Sequence, residues 1–491
     1  MAQTKKHHRR LSTYFLWLLL FLSAAVFFIS FLRIPAFPRR WSILVLLILL
    51  AILIFCLILT LYFSRKNMAV KCINGFNALV LLIGGIMMPY YSDRIEKLFD
   101  TVTGVTVRIN LYTLADSDLN RVTDCKDSVF LTSMAEDGDN QQFAADSIRA
   151  DLKEEPSFSD RQSVYESVDA LYRKEGDVLV MSSAYESIVS DTEGYETFTE
   201  DTKIIGWYYR TIEVPASSGK IRVTDEPFVL FIGGNDQTGE LSLAGRTDVN
   251  MAVTVNPKTH QIALVSLPRD SYIPNPAYED EKDKLTHLGI KGLDNTVKGI
   301  GEVLGHQPDY YILVNFSTFI DIIRAIGGVT IENPYAFDCL DGRHFDEGVI
   351  TLDPDEALMY VRERKHLPDG DFGRTMHQQI VLRALIQKLT SPEMIIHFDS
   401  LLKALEGKFL TSLSGSQIFA LCRMQLEENI SWNIVNYHVT GKIGSAKCAS
   451  VSGQKLSVVY PYENQLEFCA DVIRRVLKGE EVIQEEIPEG E

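Results

Sequence analysis

Two short charged motifs in the second half of the chain have the residue types needed to hold a phosphate. They are Arg246-Thr247-Asp248 and Arg269-Asp270. The first precedes an apolar run, Val249 to Val255; the second follows another, Gln261 to Leu267; Asn256-Pro257-Lys258-Thr259 between them reads as a turn. Pairing Asn256 with Thr259 sets Arg246 opposite Arg269 and Asp248 opposite Leu267. Like charges directly opposed on a hairpin repel, and an anion between them would relieve that. Two solvated arginines at a sheet end are the plain alternative. Asp236, at the end of the preceding strand, can reach the same rim.

A second basic group follows in Tyr360-Val361-Arg362-Glu363-Arg364. This segment is expected just after a helix. In extended geometry Arg362 and Arg364 project from one face; in a helix they diverge and read as a solvated charge run. Asp371-Phe372-Gly373-Arg374 then opens a long helix, with Arg374 and Gln378 on one face near its N-terminus, where free N–H groups attract anions. Arginine forks match phosphate oxygens in pairs. Two nearby aspartates suit Mg2+ held against a phosphate. Phosphoryl transfer needs little beyond positioning and charge neutralisation. There is no P-loop, GxSxG or HExxH pattern. The histidines show no ligand spacing, and His377 reads as a surface or capping residue.

The elements that would position these groups alternate between strand and helix. Phe228 to Ile232 is a continuous apolar strand ending in Gly233-Gly234-Asn235-Asp236. Thr296 to Leu304 is a helix closed by Gly305. A strand, Tyr310 to Phe316, a helix, Thr318 to Ile326, and a strand, Val329 to Asn333, come next. Asp353-Pro354-Asp355-Glu356 starts a capped helix, and Arg374 to Leu389 is a long one. This order implies a layered α/β domain. Upstream, from about Asp93 to Val214, a smaller α/β unit is expected, and Pro215 to Lys220 reads as a linker.

The N-terminal part is different in kind. Leu11 to Leu32, Trp41 to Phe63 and Cys72 to Ser92 carry no charge, and each is long enough to span a bilayer as a helix. The glycines Gly75, Gly84 and Gly85 suit helix–helix contacts. Lys5, Lys6, Arg9 and Arg10 favour a cytoplasmic N-terminus. Arg65, Lys66 and Lys71 agree; Arg33, Arg39 and Arg40 do not, and the N-terminal cluster is given the greater weight. Three spans then put everything after Tyr91 outside. The net charge of -17 argues against nucleic acid, which rewards clustered Lys and Arg. Seven cysteines with no CxxC pair make a structural zinc site unexpected. A Cys448–Cys469 disulfide is expected, since an oxidising compartment permits it; two free thiols are the alternative.

The chain resembles the LytR-CpsA-Psr family of cell-wall glycopolymer transferases. The resemblance runs from about Phe228 to Leu389. It rests on Gly-Arg246-Thr-Asp248, on Leu267-Pro-Arg269-Asp270 and on Tyr310-Tyr-Ile-Leu-Val-Asn315-Phe316. It continues through Ile326-Gly-Gly-Val-Thr330, Val361-Arg362-Glu-Arg364 and Phe372-Gly-Arg374 with Gln378-Gln379. A looser likeness, Val168 to Tyr185, is to the accessory domain of capsule-type members. With the three transmembrane helices placed within 1–95, the resemblance implies an extracellular α/β accessory domain at 96–220 and a layered α/β/α catalytic domain with a mixed central sheet at 221–478. An acidic disordered tail at 479–491 is read from its composition.

The resemblance also implies an enzyme: a Mg2+-dependent phosphotransferase outside the cell membrane of a Gram-positive-type envelope. It would move a teichoic acid or capsular polysaccharide from undecaprenyl pyrophosphate to peptidoglycan. Asp236 and Asp248 would hold the metal. Arg246, Arg269, Arg362, Arg364, Arg374 and Gln378 would clamp the pyrophosphate. Asp248, Arg246 and Arg269 would form the catalytic centre. The alternatives are a non-catalytic polyprenyl-phosphate-binding or sensing protein, and a transcriptional attenuator. Against the second, the short cytoplasmic segments leave no room for a DNA-reading module.

Overall fold

A computed structural model describes residues 2–33, 39–63, 68–98, 104–190, 192, 194–213, 221–235, 245–279, 281–339, 341–391, 400–401, 404 and 410–491. The expected linker at Pro215–Lys220 lies outside the described residues.

Three long helices lead the chain, Ala2–Leu32, Arg39–Phe63 and Met68–Leu98. Their apolar stretches, Phe15–Leu32, Trp41–Tyr62 and Met68–Pro89, are each long enough to cross a membrane. The first and third pack closely. A Cβ at Gly85 would sit 2.9 Å from the backbone nitrogen of Phe27, so only glycine allows this approach. Gly75, by contrast, faces open space. Polar groups link the second and third helices. Asn74 Nδ2 donates to Thr60 Oγ1 at 2.7 Å, and the Thr60 hydroxyl donates to the Cys56 carbonyl at 2.7 Å.

Next comes a five-stranded mixed sheet in the spatial order Ser157–Asp160, Val129–Thr132, Val178–Ser182, Gly104–Leu114, Thr202–Glu213. Alternate residues of Gly104–Leu114 serve opposite faces. Val107, Ile109 and Leu111 bury against Ala144 and Ile148 of the helix Met134–Leu152. Tyr112 joins a core that continues into Ile290, Ala446, Cys448, Val451 and Val458. The unit therefore shares its core with the C-terminal half of the chain.

Near that junction Asp137 interrupts its helix at φ -138, ψ 41. Its Oδ1 accepts from Asn140 Nδ2 at 2.8 Å, while Oδ2 is buried without a partner. Burial lifts its carboxyl to about 6, against the opposing pull of Lys291. A carboxyl raised in the fold binds its proton more tightly there than in the unfolded chain, so its ionisation costs stability as pH rises from about 4 to 6. Asp137→Asn is expected to raise the melting temperature at pH 7, by up to about 3 kcal/mol of stability, and to have little effect at pH 4. Thermal unfolding at the two pH values checks this.

The largest sheet has six strands in the order Leu410–Thr411, Tyr310–Asn315, Phe228–Asn235, Val249–Asn256, Gln261–Ser266, Asn433–His438. Phe228–Asn235 runs parallel to Tyr310–Asn315 and antiparallel to Val249–Asn256. One face buries Val229, Phe231 and Val265 against the helices Leu293–Leu304 and Glu463–Lys478. The other buries Leu230, Val253 and Leu264 against Asp371–Leu389 and Gly415–Glu428. The result is the expected α/β/α layering.

Several expectations fail. The hairpin pairs Asn256 with Gln261 and Met251 with Ser266, two residues away from the expected register. Asn256 Oδ1 accepts the N–H groups of Lys258 and Thr259, and His260 turns at φ 54, so the loop holds four residues. The acidic tail is ordered. Val482 is buried, its N–H donates to Gln261 Oε1 and its carbonyl accepts from Asn433; its composition conceals this docking. Cys448 and Cys469 are free buried thiols in two separate cores, the first beside Tyr112 and the second beside Val265, so no disulfide joins them.

Candidate functional site

The corrected register decides the chemistry. Continued past Met251–Ser266, it places Asp248 opposite Arg269. Arg269 Nη1 lies 2.7 Å from Asp248 Oδ1, an ion pair where two opposed arginines were expected. The Asp248 N–H donates to the Gly234 carbonyl at 2.7 Å. Thr247 and Asn250 lock the approach: the Thr247 hydroxyl donates to Asn250 Oδ1, and Asn250 Nδ2 donates to the Thr247 carbonyl. From the short helix Leu285–Leu288, the Thr286 N–H donates to the Arg269 carbonyl and the Leu285 N–H to that of Ser271. Both charged residues are thus set by backbone pairing.

Burial pushes the Asp248 carboxyl up, but Arg269, Arg246 and Arg374 together hold it below the usual carboxylate range. Burial likewise works against the Arg269 charge, and Asp248 and Asp270 more than restore it. Asp270 is itself paired, with Lys284 Nζ 3.2 Å from its Oδ1. Lys284 was not foreseen: its run, Glu279 to Lys284, reads as an ordinary charged loop.

Arg374 stands one turn into the helix Asp371–Leu389, as expected. Its Nη2 is 2.6 Å from Asp371 Oδ1, and its Nε is buried without a hydrogen-bond partner. Burial lowers its pKa, and the charges of Arg269 and Arg364 add to that. Gln378 Nε2 donates to the Val361 carbonyl at 3.4 Å. Arg362 does not lie on an extended segment. It is the last residue of the helix Pro354–Arg362, and Glu363 leaves the helix at φ -60, ψ 135. The capping box of Asp353 and Glu356 starts that helix as expected, and it runs on through Tyr360–Arg362. The Arg362 guanidinium stacks on the Phe316 ring at 4.6 Å. Arg364 is exposed, just past the helix.

Arg246 is half-buried, and its Nη1 donates to the Ser187 carbonyl at 3.4 Å. Asp248, Arg246, Arg269, Arg364 and Arg374 therefore share one electrostatic neighbourhood. Asp236 lies outside the described residues. His377 is not a surface or capping residue: it is fully buried, its Nδ1 is 3.2 Å from the Tyr360 carbonyl, and its ring stacks on Tyr360. Burial lowers it to about 4, so it is neutral at pH 7.

A second buried group also escaped the sequence reading. Asp283, His287 and Cys448 come together from distant segments. The Asp283 carboxylate already accepts from Asn275 Nδ2 and from the N–H groups of Lys284 and Ser450, with His287 Nδ1 at 2.9 Å. These bonds offset its burial, and they tie the hairpin Gly441–Cys448/Val451–Pro461 to the segment before helix Leu285–Leu288.

Residues 189–460 match the LytR_cpsA_psr family. The chain is 37% identical over 195 residues to a polyisoprenyl-teichoic acid–peptidoglycan teichoic acid transferase, TagU, of Bacillus anthracis, covering 40% of this chain and 63% of the relative. The TagU of Bacillus subtilis is 36% identical over 191 residues, 38% of this chain and 61% of its own length. The crystal structure of B. subtilis TagV aligns with a TM-score of 0.44 at 25% identity, over 52% of this chain and 98% of that one. The chain thus spans somewhat less than two thirds of the length of these two curated relatives.

Proposed function

This chain belongs to the LytR-CpsA-Psr family, and from that premise we propose that it is a membrane-anchored phosphotransferase. It moves an anionic glycopolymer, of teichoic acid or capsular type, from a polyprenyl pyrophosphate carrier to peptidoglycan. Region 221–478 is its catalytic unit, on the outer face of the membrane, with the N-terminus in the cytoplasm. The observation that carries the reading is the gathering of Arg246, Arg269 and Arg374 about one mostly buried, ionised carboxylate, Asp248, with the Arg364 charge acting on Arg374. Such a surplus of guanidinium groups suits a pyrophosphate, whose oxygens accept paired hydrogen bonds.

Each residue has a task in this scheme. Arg269 keeps Asp248 ionised and, with Arg374, faces the phosphates. Arg362, braced on Phe316, and Arg364 approach from the helix end. Gln378 adds a neutral donor beside Arg374. Asp248 Oδ2 takes no hydrogen bond from a described residue, so it suits a hard cation, which Asp236 and Asp248 would hold as Mg2+. Bound there, the metal would neutralise charge on the transferring phosphoryl group.

Native mass spectrometry of the full-length protein in detergent tests the reading: a co-purified polyprenyl phosphate or pyrophosphate supports it, and a preparation that neither retains nor binds either one refutes it. Arg364→Lys keeps the charge but loses the planar fork. It is expected to lower transfer roughly tenfold with an unchanged melting temperature. Full activity in that variant would make Arg364 a solvated bystander.

A further inference from the structure

Thr202–Glu213 is an edge strand of the five-stranded sheet. On one side it carries two large aromatics in the open: Trp207 is 51% and Tyr209 49% exposed. They are two residues apart, so both stand on the same face. Their register partners on Gly104–Leu114 are Asn110 and Arg108. The Arg108 guanidinium lies over the Trp207 ring at 4.6 Å and braces the indole. Exposed, adjacent aromatics held rigid in this way mark an interaction surface.

Beneath this face, hydrogen bonds run from Asn110 to the helix that also meets Arg246. Asn110 Nδ2 donates to the Tyr112 hydroxyl at 2.8 Å, and that hydroxyl donates to Glu186. Glu186 sits on the helix Ser183–Ser190, whose Ser187 carbonyl accepts from Arg246. Asn110, the register partner of Trp207, is thus tied through Tyr112 to the helix that receives Arg246.

Charge narrows the occupant. Residues 104–213 hold 23 acidic and 10 basic residues, a net of -13. That field repels polyanions and anionic membrane surfaces. The C–H faces of a sugar ring are apolar and weakly positive, and they complement the negative face of an aromatic ring. We propose that Arg108, Trp207 and Tyr209 form a docking surface for an uncharged carbohydrate chain, which it directs toward Arg246. In naming that chain as the acceptor glycan the proposal rests on the transferase reading; the binding itself does not.

The probe is a soluble oligomer of N-acetylglucosamine, titrated into the full-length protein in detergent. The wild type is expected to bind it saturably. Trp207→Ala should weaken binding about tenfold or more, Tyr209→Ala should also weaken it, and Trp207→Phe should retain most of it. Polyprenyl phosphate retention should be the same in all four proteins. Equal binding by wild type and Trp207→Ala, or none by wild type, overturns the proposal. So does tighter binding of a polyglycerol phosphate, or sedimentation showing a dimer that Trp207→Ala dissolves, since the face would then serve a polyanion or a second copy. A wild type that binds the oligomer but no polyprenyl phosphate refutes the transferase reading and leaves this surface standing.

Discussion

Arg269→Ala is expected to lower folding stability by roughly 3–5 kcal/mol and to abolish transfer. Truncation removes the hydrogen-bonded partner 2.7 Å from Asp248 and leaves a carboxylate with little solvent access and only the more distant charges of Arg246 and Arg374 to offset its burial. Burial would then dominate, and the Asp248 carboxyl would move up. Total stabilities of about 5–15 kcal/mol make such a loss visible as a large drop in melting temperature. The double variant Asp248→Ala/Arg269→Ala separates structure from function. Removing both charges should recover much of the stability, because the orphaned carboxylate is gone, whereas transfer should stay absent. A double variant no more stable than Arg269→Ala would show that the pair is not the source of the loss.

Asp248→Asn tests the opposite partner with its volume kept. Transfer is expected to fall about 100-fold, equivalent to roughly 3 kcal/mol in the barrier, because an amide carries no charge to set Arg269 or to hold Mg2+ against the phosphate. The pH response should change as well. Asp248 is depressed in the fold, so its stabilising contribution is present above the unfolded value near 4 and is lost as pH falls through the lower folded value. The asparagine variant should lack that part of the acid-side decline. If its stability falls below about pH 4 as steeply as the wild type's, other carboxyls govern the acid-side decline.

The parts legible in the sequence obey local rules. Three uncharged stretches became three helices, and the capping box of Asp353 and Glu356 starts a helix where expected. The strand–helix alternation foretold the layered sheet. The motifs around Arg246, Asp248, Arg269 and Arg374, distant in sequence, come together in the fold. What failed depended on details that spacing does not encode. The left-handed His260 lengthened a turn, and the charges at its far ends changed partners. The helix before Glu363 ran on through Arg362, because nothing in Tyr360-Val361-Arg362 stops a helix. His377 and the C-terminal segment looked exposed by residue type, yet tertiary contacts from Tyr360, Gln261 and Asn433 cover them.

The polar link between the second and third membrane helices bears on how the protein is made. Asn74 is 1% exposed, and its amide donates to Thr60 of the preceding helix. In hydrocarbon an amide without a partner is costly. The third helix carries Asn74 and Asn77 and is the least hydrophobic of the three, with a mean hydropathy of 1.7 against 3.5 for the second. Its entry into the bilayer is thus favoured when the second helix is already waiting beside the translocation channel. Leaving the channel as a hairpin would let residue order in the nascent chain supply the partner at the moment it is needed.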